Sequence, residues 1–467
     1  MAACRTRPKP SRRTDLSISA PETPPAAGTA PVRKFWFVEL AEDVARSHFG
    51  TLLYGAFTTI GLLAFVAIGT PYVLNVYLQV PANEQGQISG DLAAWTEIVL
   101  LLVFGPAGVL ADRIGRRQVY AVGYLFMGIA YALYPFAGSV TELTGYRIVY
   151  ALGVGLTTAM LQTTLADYPA NASRGKATAL IGTLNGLGVI ILSVGLGGMM
   201  KAFVGRGWDP QMAGYLTHGI VAGLCFFSAV VVARGLKPGA GVSRAARLPI
   251  GELVASGFAA ARNPRVALAY ACAFIARGDL VVVGTFVNLW GTSAAMAAGY
   301  DPAEASAKGR MLFAASTTAG LFWLPIMGYM LDKLNRVTGA VVCMALAAAG
   351  FLFTDMVDDP LDSRNLGFFL LLGIGQISAF AAAATLIGQE APKESRGAVI
   401  GLFNMSGAIG ILFCTAVGGR LFDAIGPHAV FEMVGTITVL VVLFGLWVRW
   451  KAPGPLKPER GGVELGV

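Results

Sequence analysis

Apolar residues in this chain come in long blocks, broken by short polar interruptions. Blocks able to cross roughly 30 Å of hydrocarbon fall near 50–74, 88–111, 118–137, 143–166, 176–200 and 212–233. Six more fall near 265–290, 311–331, 337–354, 365–388, 397–419 and 428–448. Each block reads as a membrane-spanning helix, because in lipid a helix satisfies its own backbone polar groups. Twelve spans, an even number, put both chain ends on one side. A longer polar stretch divides the sixth span from the seventh. The expected organisation is therefore a tail (1–48), a six-helix bundle (49–235), a central loop (236–263), a second bundle (264–450) and a tail (451–467).

The polar interruptions orient the chain. The two tails and the even-to-odd loops hold 27 Lys and Arg, whereas the opposite loops hold 6 and carry the acidic run DMVDDPLDSR. Cytoplasmic loops of membrane proteins are enriched in Lys and Arg. Both tails and the central loop are thus expected in the cytoplasm, which in a bacterium makes this the cytoplasmic (inner) membrane. The net charge of +8 then reports topology rather than nucleic-acid binding.

Composition agrees: 467 residues are 55% hydrophobic and 13% charged, about half the charge of a soluble chain. The 59 glycines suit close packing of membrane helices. Cys4, Cys225, Cys272, Cys343 and Cys414 show no CxxC or Cys/His spacing, and His48, His218 and His428 are scattered. No disulfide framework, metal site or cofactor is expected. Residues 1–48 are basic and Pro-rich and lack a signal peptide's apolar core. They read as a disordered tail, with RKFWFVELAEDVARSH (33–48) as a candidate short helix on the membrane surface.

The halves repeat. GVLADRIGRR (108–117) has a diluted copy, GYMLDKLNR (328–336), so that Gly108, Asp112 and Arg116 return as Gly328, Asp332 and Arg336, each displaced by 220 residues. TLADYPANASRG (164–175) returns as TLIGQEAPKESRG (385–397), Gly197-Gly198 as Gly418-Gly419, and Tyr54 as Tyr270. Two duplicated bundles with a site between them near mid-membrane is a recurring transporter plan.

GVLADRIGRR also resembles the loop 2–3 signature of the major facilitator superfamily, Gly-x-x-x-Asp-Arg-x-Gly-Arg-Arg/Lys, over a resemblance that spans about residues 50–450. It implies an all-α membrane protein, with twelve helices in two bundles that rock about a central cavity and give alternating access. It also implies that Asp112 faces the start of the eleventh helix, near Arg396 to Ile400, and holds the cytoplasmic side shut. From the residues alone, Gly108 offers a bare backbone for close contact, and Asp112 suits the positive end of a helix dipole. In the first half Arg116 and Arg117 are expected to pair with Asp167, alongside Arg174, while Arg113 reads as a topology anchor in the same cytoplasmic gate. Asp332, Arg336, Glu390 and Arg396 form the second set.

Ionisable groups inside the spans are functional candidates by default. Glu97 lies eleven residues before Gly108, and 100° per residue returns it to nearly the same face, so both should face the other bundle. Arg147 heads a polar stripe, 147, 151, 155, 158 and 162, matching the family's R-x-x-x-G-x-G except that Ala151 replaces the first Gly. Arg277 and Asp279 flank Gly278; either they point to different sides of an unbroken helix, or Gly278 opens it and both reach the site. Tyr54, Tyr270 and Asn288 complete the expected substrate and proton cavity. Asn185, Gln376 and Asn404 read as helix–helix hydrogen bonds. The fifth helix has SVGLGG (193–198) where the family's exporters carry Gly-Pro-x-x-Gly-Gly.

No nucleophile–base pair or phosphate loop emerges, so the chain is not expected to be an enzyme. Three readings stay open: a proton-coupled symporter for a small organic solute, a proton-driven exporter of drugs or metabolites, and a non-transporting receptor or assembly factor. The expected partners are the lipid bilayer, a small solute and protons, with the chain working as a monomer.

Overall fold

The structure is a computed structural model that describes residues 33–170, 173–239, 255, 258–391 and 396–453; the side chains of 105, 109, 112, 174, 175, 332 and 396–398 fall outside the description. Among the described residues twelve helices are long and apolar enough to span a membrane. The first bundle comprises α1 (Arg46–Val76), α2 (Gln85–Ile114), α3 (Arg116–Leu133), α4 (Val140–Asp167), α5 and α6 (Pro210–Gly235). Helix α5 runs Arg174–Gly188 and Val194–Val204 around a π turn, Val189–Ser193. In the second bundle α7 runs Pro264–Val282 and Asn288–Ala297 around a π turn, Val283–Val287. It is followed by α8 (Pro302–Lys333), α9 (Arg336–Leu352), α10 (Leu366–Glu390), α11 (Arg396–Ala424) and α12 (Pro427–Lys451). The end carrying both tails is called here the terminal side, and the other the far side.

Local sequence sets the helix starts. Asp209 and Asn263 accept from backbone N–H groups two residues on, ahead of Pro210 and Pro264. A short polar cap and a proline at the first helical position are a favoured pair. Asp301 does the same for α8, accepting from Ala303 N (2.9 Å) and Glu304 N (3.1 Å). Helix α8 therefore begins nine residues before the expected 311, because its first turns, PAEASAKGR, are helix-forming but too polar for a hydropathy window. Between α2 and α3 a single residue, Gly115, takes φ +96°, a conformation glycine adopts without steric cost. The second glycine of the GVLADRIGRR motif is thus a turn requirement.

The expected surface helix at 33–48 does not form. Lys34–Phe35 and Val38–Glu39 pair as a two-stranded antiparallel hairpin, and α1 starts only at Arg46. The segment finds backbone partners elsewhere: Ala41 N donates to Tyr168 O (3.0 Å) and Ala170 N to Glu39 O (2.9 Å). Val38, Leu40 and Val44 are buried by this contact. The strap is thereby tied to the loop after α4, and Lys237 pairs with Asp43 to fasten the chain leaving α6.

The first bundle is knit by tyrosines. Tyr131 and Tyr150 donate to the carbonyls of Leu62 and Leu63 on α1, while Tyr120 and Tyr124 meet the hydroxyls of Thr58 and Thr59. The second bundle has apolar cores instead, around Ala340 and Met344 on the terminal side and Phe351, Phe369 and Phe431 on the far side. The bundles meet along α2 with α11, α5 with α8, and α1 with α7 and α8.

Candidate functional site

Glu97 lies about 25 Å from the terminal-side end of α2, and Arg277 about 20 Å along α7, at 1.5 Å per residue. Glu97 is 7% exposed. The two act on each other electrostatically from opposite bundles, without forming a contact ion pair. Arg277 Nη2 donates instead to Asn404 Oδ1 of α11 at 2.8 Å. Its stem crosses Gly407, where a Cβ would lie 2.9 Å from Arg277 Cγ. A carboxylate on one bundle thus faces a guanidinium on the other at mid-depth.

Of the two alternatives for Asp279, the helix decides for the first. Helix α7 continues unbroken through Gly278, and its π turn comes only at Val283–Val287. Gly278 packs against α11, where a Cβ would fall 2.7 Å from Cys414 Sγ. Asp279 is fully buried near Cys414, and neither carboxylate oxygen has a hydrogen-bond partner among the described residues.

Arg147 sits inside the first bundle. Its Nε donates to Thr96 Oγ1 (2.7 Å) and its Nη1 to Tyr134 Oη (3.2 Å) and Thr70 Oγ1 (3.5 Å), while the guanidinium lies 5.1 Å from the Tyr150 ring centre. Tyr54 Oη bonds Ser228 Oγ of α6 at 2.9 Å. Tyr270 gives its backbone carbonyl to Ser406 Oγ (2.8 Å). Asn288 Nδ2 donates across the interface to Ala67 O of α1. The expected cavity residues are therefore dispersed: Asn288 reaches the other bundle, Glu97 and Arg277 interact across the interface without contact, Arg277 bonds Asn404 within its own bundle, and Arg147 and Tyr54 bind within theirs.

On the terminal side, Arg116 pairs with Asp167, Arg265 with Glu390 at 3.0 Å, and Arg336 Nη1 donates to Leu331 O at 2.9 Å. Arg113 lines a cleft of about 650 Å³ with Leu102, Pro106, Leu110, Phe126 and Leu156. At 100° per residue these α2 positions lie about 140–180° around the helix from Glu97, turned away from the other bundle. The side chains of Asp112, Arg174, Asp332 and Arg396 lie outside the described residues.

The described ion pairs sort by end. Those on the terminal side stay within one bundle, whereas those on the far side cross between bundles. Asp423 accepts from Gly86 N (2.8 Å) and Gln87 N (2.6 Å), Arg420 meets Asp91 at 3.0 Å, and Lys201 meets Glu304 at 3.2 Å. Helices α2 and α11 come close there: a Cβ on Gly90 would lie 3.0 Å from Gly419 Cα. Sequence reasoning missed Arg310, buried on α8 against Gly197 and Gly198 of α5, because it fell just before the expected start of its span.

The profile described as Major Facilitator Superfamily matches residues 52–357 and 281–466. The chain is similar to the magnetosome protein MamH of Paramagnetospirillum magneticum, with 27% identity over 418 residues, 87% of this chain and 93% of that one. It is 26% identical to the magnetosome protein MamZ of the same organism over 87% of this chain, but spans only 64% of that relative's length. The multi-drug resistance efflux pump PmrA of Streptococcus pneumoniae is 22% identical over 87% of this chain and 95% of its own. Among solved structures the nucleoside transporter NupG, crystallised as a variant, superposes with TM-score 0.65 at 16% identity, over 85% of this chain and 99% of that one. A POT family transporter in complex with 5-aminolevulinic acid reaches TM-score 0.64 at 14% identity, over 86% and 96%.

Proposed function

The chain belongs to the major facilitator superfamily, and from that premise we propose that it carries a small organic solute across the membrane by alternating access, coupled to protons. The observation that carries this reading is the Glu97–Arg277 pair. A buried carboxylate on one bundle, within electrostatic reach of a guanidinium on the other, links the charge state of Glu97 to how the bundles sit. Proton arrival at Glu97 weakens that attraction and leaves Arg277, already held by Asn404, free to meet solute. An ionisable group inside a membrane typically marks such a pathway. The Lys and Arg bias places the tails and the central loop in the cytoplasm. The far side, closed here, is then the external side, and the terminal-side groups around Asp112 and Arg116 form the gate that closes when the far side opens.

Solute and proton move together in this reading. Proteoliposomes holding a pH dye, offered a panel of small organic solutes, are expected to acidify with the transported one, and Glu97→Gln should abolish the signal at unchanged folded yield. Alkalinisation on solute addition would instead establish the exporter. The long matches to MamH and MamZ favour a second reading, in which the chain serves a magnetosome membrane as an assembly factor. That reading gains if no solute produces flux while Glu97→Gln leaves membrane assembly unchanged.

A further inference from the structure

Arg310 lies about 12 Å from the start of α8 at 1.5 Å per residue, displaced toward the far side from the Glu97–Arg277 pair. It is 7% exposed. Its Nε and Nη1 are buried without a hydrogen-bond partner, and the nearby acid on the same helix, Glu304, is engaged by Lys201. A guanidinium offers five N–H donors and is always charged, and an uncompensated buried charge is costly. Among the described residues no acid is paired with that charge; glycines let it lie against α5 instead. Gly197 and Gly198 line α5 where the guanidinium lies; a Cβ on Gly197 would sit 2.9 Å from Arg310 Cδ and 3.1 Å from Nη1. One turn before Gly197, Ser193 is fully buried, and one turn before Arg310, Ser306 is 1% exposed. Both hydroxyls lack partners. Gly309, beside Arg310, packs against Asn288 O of α7, whose side chain reaches α1. Helices α1, α5, α7 and α8, from both bundles, therefore pack around one positive charge with unspent donors, and Ser193 and Ser306 each lie one helical turn from a residue of that contact.

We propose that Arg310, with the hydroxyls of Ser193 and Ser306, forms an oxyanion site for a carboxylate or phosphate group at the far-side junction of α5 and α8. Arg is suited to such planar, two-oxygen recognition. The site is reached when the far side parts, and it is desolvated as that side closes, so a bound oxyanion stabilises the closed far side seen here. The inference rests on the transport reading and narrows the cargo to solutes bearing an anionic group. A free inorganic oxyanion is the other source of the same chemistry.

Two measurements on the full chain test it. The first is thermal unfolding in detergent with inorganic phosphate or citrate, for the natural chain and Arg310→Gln. The expected result is a saturable rise in unfolding temperature that Arg310→Gln removes. A rise with phosphate alone identifies a resident inorganic ion, and a larger rise with citrate identifies a carboxylate cargo. No rise, or an equal rise in Arg310→Gln, overturns the site. The second keeps Arg310 and uses Ser193→Cys in a Cys4→Ser background, where the remaining cysteines are buried. An anionic methanethiosulfonate should label Cys at this position about tenfold faster than its cationic counterpart, since a local positive field concentrates anions, and citrate or phosphate should slow it. Equal or faster labelling by the cationic reagent overturns the proposal. Flux of a neutral solute that Arg310→Gln leaves unchanged sinks this site but not transport. Oxyanion binding without flux of any solute keeps the site and sinks the transport reading.

Discussion

At the residue scale, the charges inside the spans have different settings, and substitution separates them. Arg147 satisfies hydroxyls on three neighbouring segments, and hydrogen bonds from a charged donor contribute about 1.5–3 kcal/mol each. Arg147→Met should therefore lower the unfolding temperature and the folded yield. Asp279 has no side-chain partner among the described residues, so Asp279→Asn is expected to fold in normal yield, which fluorescence size-exclusion chromatography of detergent extracts would show; strong destabilisation would reveal a partner absent from this arrangement. Glu97 and Arg277 belong to opposite bundles. Exchanging them, Glu97→Arg with Arg277→Glu, should restore part of the flux that either single change removes. The sequence showed Glu97, Arg147, Arg277 and Asp279 within spans, because an ionisable residue stands out against apolar neighbours, and missed Arg310. It did not show partners, since Thr96, Thr70 and Tyr134 reach Arg147 only through tertiary packing.

At the scale of elements, helix existence was legible and helix ends were not. The twelve apolar blocks map onto twelve helices because burial in lipid demands length and apolarity together. The start of α8 was misplaced because capping by Asp301 and helix propensity, rather than hydropathy, set it; that error hid Arg310. The stretch 33–48 mixes aromatics and charges as a surface helix would, yet its backbone pairs with the loop after α4, a long-range contact no local pattern announces. In that strap, Lys237 holds the Asp43 carboxyl below its usual value. A depressed carboxyl stabilises the folded form above its ordinary value of 3.8 and loses that contribution only as pH falls through the lower folded value. Protease cleavage near Trp36 should accordingly be equally slow at neutral and mildly acidic pH, and faster in Asp43→Asn. At the α2–α11 contact, Gly90→Leu would wedge the far side apart. It should abolish flux and expose Cys414, which belongs to the far-side core, to labelling while leaving the terminal-side pairs intact.

At the scale of the whole molecule, the duplication legible in GVLADRIGRR and GYMLDKLNR corresponds to two bundles whose described charged contacts cross only on the far side. On the proposed alternating access, this is one arrangement of two, with Glu97 and Arg277 between the halves as the element both states would contest. The most direct test is the distance between the bundles at both ends of the same molecule. Spin labels at Ala82 and Ile425 report the far side, and labels at Gln118 and Gln389 the terminal side, in full-length chain reconstituted in lipid. Alternating access predicts that lowering the pH or adding the transported solute changes the two distances in opposite directions, and that Glu97→Gln locks both. Distances that stay fixed, or that lengthen and shorten together, would contradict it.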